Sequence, residues 1–186
     1  MLQDRAEGHR LRLPAVAELD KVELREELKM VYLALFQPDA GTGGFVVTFP
    51  DIDDGVTQGE TEEEATGMGA DLLACMIGER INRDLNLPAP RKYRGSKYRP
   101  ARLPALQEAK AELYNAFRAA GIRKAELARR IGISKTNIDR LFGLTYHSRL
   151  GQIEAALRAL GKELAIAIRD AARATIPDSC GADQLA

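Results

Sequence analysis

The chain has 186 residues, 45% apolar and 29% charged, with 27 basic and 27 acidic side chains that cancel to a net charge of zero. That size and mix suit one ordinary domain or two small ones and exclude disorder throughout. No apolar run approaches the ~20 residues of a membrane span, and the N-terminus lacks the basic-then-apolar order of a secretory signal, so a cytoplasmic protein with no membrane partner is expected.

Residues 1–20 show no sustained periodicity, and Glu18–Lys29 is charged with thin apolar spacing, at most a short helix. Residues 1–29 therefore read as an N-terminal extension, either disordered or the product of an upstream start codon chosen in error. From Met30, the runs VYLALF and FVVTFP are strand-like, and the QPDAGTGG between them has the Pro, Asp and Gly of a hairpin turn. GVTQG, Gly55–Gly59, makes a short third strand. Thr61 and Glu64 then form a capping box, and Ala65, Met68, Leu72, Leu73, Met76, Ile77 and Ile81 recur at helical spacing. Cys75 lies in this helix and Cys180 in a polar tail, a pair with no ligand spacing and no disulfide framework, as in a reducing compartment.

Residues 91–103, within a stretch of four prolines that starts at Leu85, read as a basic linker with at most one short strand near Tyr98–Leu103. The pattern beyond Pro104 is helical. Leu106, Ala109, Leu113, Ala116 and Phe117 line one face until Gly121 stops the helix, and IRKAELARRIG, SKTNIDRLF and RLGQIEAALRALG follow. ELAIAI, Glu163–Ile168, alternates and suits a strand or a helix, and residues 171–186 read as a disordered tail. The zero net charge conceals a split: residues 30–90 hold two Arg and eleven Asp and Glu, net −9, whereas residues 91–186 hold nineteen Lys and Arg and nine Asp and Glu, net +10. Two halves of opposite sign point to different partners, polyanions for one and basic proteins for the other, unless the halves simply neutralise each other.

KAELARRIGISKTNIDRLF, Lys124–Phe142, has the arithmetic of a helix-turn-helix within residues 104–170. Ala128 is small where the helices cross, Gly132 allows the turn, and Ile133, Ile138 and Leu141 fill the shared core. Ser134 caps the second helix, whose first turn presents Lys135, Thr136 and Asn137. Asn can bond adenine bidentately, and Arg140, one turn on, can reach guanine or phosphate. Arg123, Lys124, Arg129 and Arg130 are expected to flank the DNA backbone. Packing alone would explain an isolated Ala and Gly pattern; the cap, the basic first turn and the surrounding positive charge favour DNA binding.

FPDIDDGVTQGETEEEA, Phe49–Ala65, gathers seven carboxylates. It fails as a calcium loop because Gly55 stands where D-x-D-x-D needs its third carboxylate. It fails as a nuclease site because its acids crowd one loop rather than converging from separate strands. Glu62, Glu63 and Glu64 are accounted for by the helix dipole. Asp51, Asp53 and Asp54 are left to turn chemistry or a basic partner, with neither preferred on the residues alone. His147 reads as a turn residue or phosphate contact before a capping Ser148, and His9 lies in the extension. GTGG, Gly41–Gly44, has no following lysine and is a turn rather than a phosphate loop. No catalytic, metal or cofactor site is expected.

These residues together resemble the HicB antitoxins. The pattern G-x-x-V-x-F-P-D, a small acidic loop, T-x-G-x-T-x-E-E-A and a long helix is matched by Phe49, Pro50, Asp51, Thr57, Gly59, Thr61, Glu63, Glu64 and Ala65, and the likeness continues through the helix-turn-helix over residues 30–170. The stretch before Met30 and the early helical Gly67 and Gly69 depart from it, and the glycines should weaken the first turns by up to ~1 kcal/mol each. The resemblance implies an α+β fold: a small antiparallel sheet packed on a helix, a truncated RNase H-like unit without the catalytic carboxylates, followed by an all-α helix-turn-helix domain. It also implies a HicA-type toxin as partner for residues 30–90, with Asp51, Asp53 and Asp54 facing it as free carboxylates, and operator DNA bound by a homodimer or higher homo-oligomer. A stand-alone transcriptional regulator with a ligand- or protein-sensing N-terminal domain is the alternative, and an RNA-processing enzyme comes third.

Overall fold

Strand β1 (Tyr32–Pro38) begins two residues after Met30 and alternates strictly, burying Tyr32, Ala34 and Phe36 on one face. That period of two is what a sheet with one covered face demands. The computed structural model describes residues 30–41, 43–52 and 55–166. The expectations for residues 1–29, for Asp53 and Asp54, for Ala167 and Ile168 and for the tail lie outside them.

Strands β2 (Phe45–Thr48) and β3 (Val56–Gly59) follow as expected from the sequence, and all pairings are antiparallel. Register is pinned by Leu35 opposite Thr48 and by Thr48 opposite Val56. Helix α1 (Glu62–Asn82) covers the inner face with Ala65, Leu73, Ile77 and Ile81, which meet Val47 and the buried row of β1. Thr61 caps it, accepting from Glu64 N at 3.1 Å, and the Glu64 carboxylate reaches back to the Glu60 N–H at 2.9 Å. The three glutamates of the first turn lie where the helix dipole favours them.

Residues 91–103 are more than a connection. Tyr98–Ala101 forms β4, which pairs with β1 (Tyr32 opposite Ala101, Leu35 opposite Tyr98) and completes a four-stranded sheet of order β3-β2-β1-β4. The following part is helical: α2 (Ala105–Ala120), α3 (Lys124–Ile131), α4 (Lys135–Phe142) and α5 (Leu150–Ala159). α5 starts one residue later than the Ser148 cap implied, with the Arg149 N–H donating to Gln152 Oε1 at 3.3 Å. Lys162–Ile166 has no regular structure.

The prolines do not keep the two parts separate. Tyr32 donates its hydroxyl to the Pro88 carbonyl at 2.7 Å, Tyr114 of α2 donates to the Leu85 carbonyl at 3.0 Å, and Arg118 donates to Asn86 Oδ1 at 3.0 Å. Extended, proline-rich backbone leaves its carbonyls unpaired, and the two tyrosine hydroxyls satisfy those of Pro88 and Leu85. The buried apolar side chains accordingly form one continuous cluster, in which Tyr114, Phe117 and Phe142 meet with ring centroids 4.9–6.4 Å apart.

Candidate nucleic-acid and partner interfaces

α3 ends at Gly132, whose φ of +70° is the left-handed conformation that favours glycine, and the chain turns there so that Ile133 N–H bonds back to the Ala128 carbonyl at 3.0 Å. Ser134 then accepts from the Asn137 N–H at 3.3 Å and starts α4. Ala128, Ile138 and Leu141 are buried between the helices, and Ile133 is partly buried beside them. What remains outside is the edge of α4 bearing Lys135, Thr136, Asn137 and Arg140, all exposed. Arg140 also lies over the Tyr146 ring, 5.9 Å from its centroid.

α4 is anchored from beneath by Lys110 of α2, which is fully buried. Its ammonium donates to the carbonyls of Gly143 at 2.7 Å, Arg140 at 3.4 Å and Tyr146. Three donors meet three acceptors at the end of the helix, where carbonyls lack intrahelical partners. Burial pushes the Lys110 pKa below its ordinary value. The sequence reading passed over this residue, although Lys110 shares the spacing of Leu106, Leu113 and Phe117 on the apolar face of α2.

Three of the four basic residues expected along the DNA backbone are engaged within the chain. Lys124 is paired with Asp84 at 2.8 Å and with Asp139 of α4 at 3.1 Å, its side chain 26% exposed. Burial opposes its charge, but the two carboxylates outweigh that and raise its pKa. Arg130 donates to Glu126 at 2.9 Å and to the Ala159 carbonyl at 3.3 Å, and Arg129 shares Glu126. Arg123 is exposed at the start of α3.

Asp51 is not a free carboxylate. It accepts from the Arg91 N–H at 3.0 Å, from Arg91 Nε at 2.7 Å and from the Tyr93 hydroxyl at 2.8 Å, leaving its side chain 2% exposed. Burial alone would raise its pKa; the Arg91 and Tyr93 hydrogen bonds, with the charge of Arg91, hold it below the ordinary carboxylate range. The resemblance to HicB antitoxins implies a free carboxylate here, and the partners that hold it lie 40 and 42 residues on in sequence. Glu60 and Glu63 are exposed nearby, whereas Glu62 is paired with Arg99 at 2.8 Å. Among the described residues, no group of three or more His, Cys, Asp and Glu comes together as a metal site, and no helix is long and apolar enough to cross a membrane.

Residues 31–112 match the family model described as "HicB_like antitoxin of bacterial toxin-antitoxin system". Antitoxin HicB of Escherichia coli K12 is 35% identical over 127 residues, 68% of this chain and 91% of that protein. Antitoxin HicB 1 of Photorhabdus laumondii is 31% identical over 126 residues, covering 68% of this chain and 79% of its own length, and Antitoxin HicB of Pseudomonas fluorescens is 32% identical over 113 residues, covering 61% and 77%. With its sheet and long helix inside the matched region and most of these relatives' length covered, the chain belongs to the HicB antitoxin family, whose members regulate rather than catalyse.

Proposed function

We propose that the chain neutralises a small, basic, mRNA-cleaving toxin of the HicA type and represses its own operon by binding operator DNA as a homodimer or higher homo-oligomer. The observation that carries the DNA-binding half is the exposed first turn of α4, where Lys135, Thr136 and Asn137 surround a capped N-terminus with Arg140 one turn behind. A helix entering the major groove reads base edges with its N-terminal side chains, and a symmetric pair would engage half-sites about 34–36 Å apart.

Membership of an antitoxin family supports the toxin-binding half. The net charge of −9 over residues 30–90 complements a cationic RNA-binding face and steers association. Within the acidic loop, Asp53 and Asp54 keep the role of toxin contacts, joined by the exposed Glu60 and Glu63. Asp51 contributes by fixing the loop to Arg91 and Tyr93.

The test is a gel-shift titration of full-length protein on the DNA upstream of its own reading frame, with a random duplex of equal length beside it. Asn137→Ala should reduce discrimination between the two by about 1–3 kcal/mol for a lost base contact. Equal losses on both duplexes would remove Asn137 from base reading, and no preference by the unmodified chain would remove the repressor role.

A further inference from the structure

Residues 91–102, RKYRGSKYRPAR, carry six cations and no acid. Three of the six are engaged within the chain: Arg91 is held by Asp51 at 2.7 Å, Arg99 by Glu62 at 2.8 Å, and Arg102 is also partnered. Lys92, Arg94 and Lys97 are exposed, and none of them is ion-paired to a carboxylate among the described residues. The backbone that carries them is fixed. Tyr93 and Tyr98 stack with centroids 5.1 Å apart and planes 18° from parallel, Tyr98 N–H bonds to the Gly95 carbonyl at 3.2 Å, and the Phe36 N–H bonds to the Lys97 carbonyl at 2.9 Å. Both ends of the turn are thus tied to the sheet, one through Asp51 and the other through β4.

From this we infer that the turn at residues 91–97 is a second phosphate-binding surface for duplex DNA, gripping the backbone beside the site occupied by α4. The inference rests on the operator-binding role proposed for α4. The three cations have no carboxylate partner among the described residues, Lys97 lying over the Tyr98 ring at 5.6 Å, and the ordered turn that carries them spares the cost of fixing a loop on meeting a polyanion. A protein partner is disfavoured, because interface centres are depleted in lysine and the two tyrosine rings are occupied by one another. Asp51 and Glu62 are taken by Arg91 and Arg99. The turn also holds a set position relative to α4: β4 runs directly into α2, Lys110 of α2 grips the end of α4, and Lys124 joins Asp84 to Asp139. On the proposal, contact by the turn with the duplex that α4 holds is intramolecular.

The experiment measures operator affinity of the full chain between 50 and 200 mM salt, with Lys92→Gln, Arg94→Gln and Lys97→Gln combined. Arg91 and Tyr93 are left in place so that the Asp51 bonds survive, and equal melting temperatures establish that the fold does. Each lost phosphate contact lowers the salt slope by about 0.9, so the unmodified chain should lose about 40-fold more affinity than the variant across that range for each protomer bound. A control combining Arg83→Gln and Arg158→Gln removes two cations already paired with Glu79 and Glu154, and its slope should match that of the unmodified chain. An unchanged slope in the triple variant, or an equal fall in the control, would overturn the proposal. Failure of the unmodified chain to bind its operator would instead overturn the repressor role on which it rests.

Discussion

The Lys124 ammonium lies 2.8 Å from the Asp84 carboxylate, so the first residue of α3 is tied to the chain just beyond the end of α1. Its second bond, to Asp139 at 3.1 Å, reaches α4. The proposed DNA-reading helix is thereby braced against the helix that covers the sheet.

Lys124→Met is expected to lower stability by about 1 kcal/mol, since it leaves two half-exposed carboxylates unpaired. Operator affinity should fall through loosened placement of α4 while its salt slope stays unchanged. A slope lower by about 0.9 would mark Lys124 as a phosphate contact after all.

Asp51 has a depressed pKa in the folded chain. The unfolded state therefore takes up its proton at higher pH than the folded state does. The stability contributed by this carboxylate is complete above its ordinary pKa of 3.8 and is lost as pH falls through the depressed value. Asp51→Asn should cost about 1–3 kcal/mol at neutral pH and flatten the decline in stability below pH about 4. Chemical denaturation at stepped pH measures both, and an acid limb as steep as that of the unmodified chain would show that Asp51 does not supply it. A fragment cut at Lys92 would lose Tyr93 and β4, so a test of the sheet domain alone has to extend to Leu103.

Lys110→Met removes three hydrogen bonds from the carbonyls of Arg140, Gly143 and Tyr146 while keeping a long side chain in the core. The expected loss is about 3 kcal/mol, the cost of buried acceptors left without donors. Amide exchange should quicken first in α4 and the turn after it. Uniform quickening across the sheet would show that Lys110 supports the whole fold rather than this helix.

Gly67 and Gly69 separate on inspection of their surroundings. Gly67 is exposed, and an added Cβ would meet open space, so Gly67→Ala should stabilise the chain by about 0.5–1 kcal/mol. Gly69 is buried, and a Cβ there would lie 3.3 Å from Val47 Cγ1, so α1 approaches β2 closely at this point. Gly69→Ala should gain less or destabilise; thermal melts that gave both variants the same gain would contradict this difference.

Local signals carried the elements well. The alternation of Tyr32, Ala34 and Phe36, the Thr61 and Glu64 cap, the spacing from Ala65 to Ile81 and the Ala128, Gly132, Ser134 series all describe neighbours within a turn or two, and their structures follow. Bonds between distant segments left no such trace. Asp51 with Arg91 and Tyr93, Lys124 with Asp84 and Asp139, and Lys110 with the end of α4 and the turn after it join residues 15–42 positions apart. The family resemblance therefore implies a free carboxylate at Asp51, and the helix-turn-helix pattern a DNA-flanking Lys124, where the structure has ion pairs. The short strand expected near Tyr98–Leu103 forms at Tyr98–Ala101, but its place beside β1, more than sixty residues earlier, has no local signal in a basic, proline-containing segment.

The most direct measurement is RNA cleavage by the proposed HicA-type toxin, titrated with the full-length chain. The account predicts that cleavage falls to zero near a fixed molar ratio and that the two proteins elute together in gel filtration. Persistent cleavage at saturating concentration, with the proteins eluting apart, would contradict it.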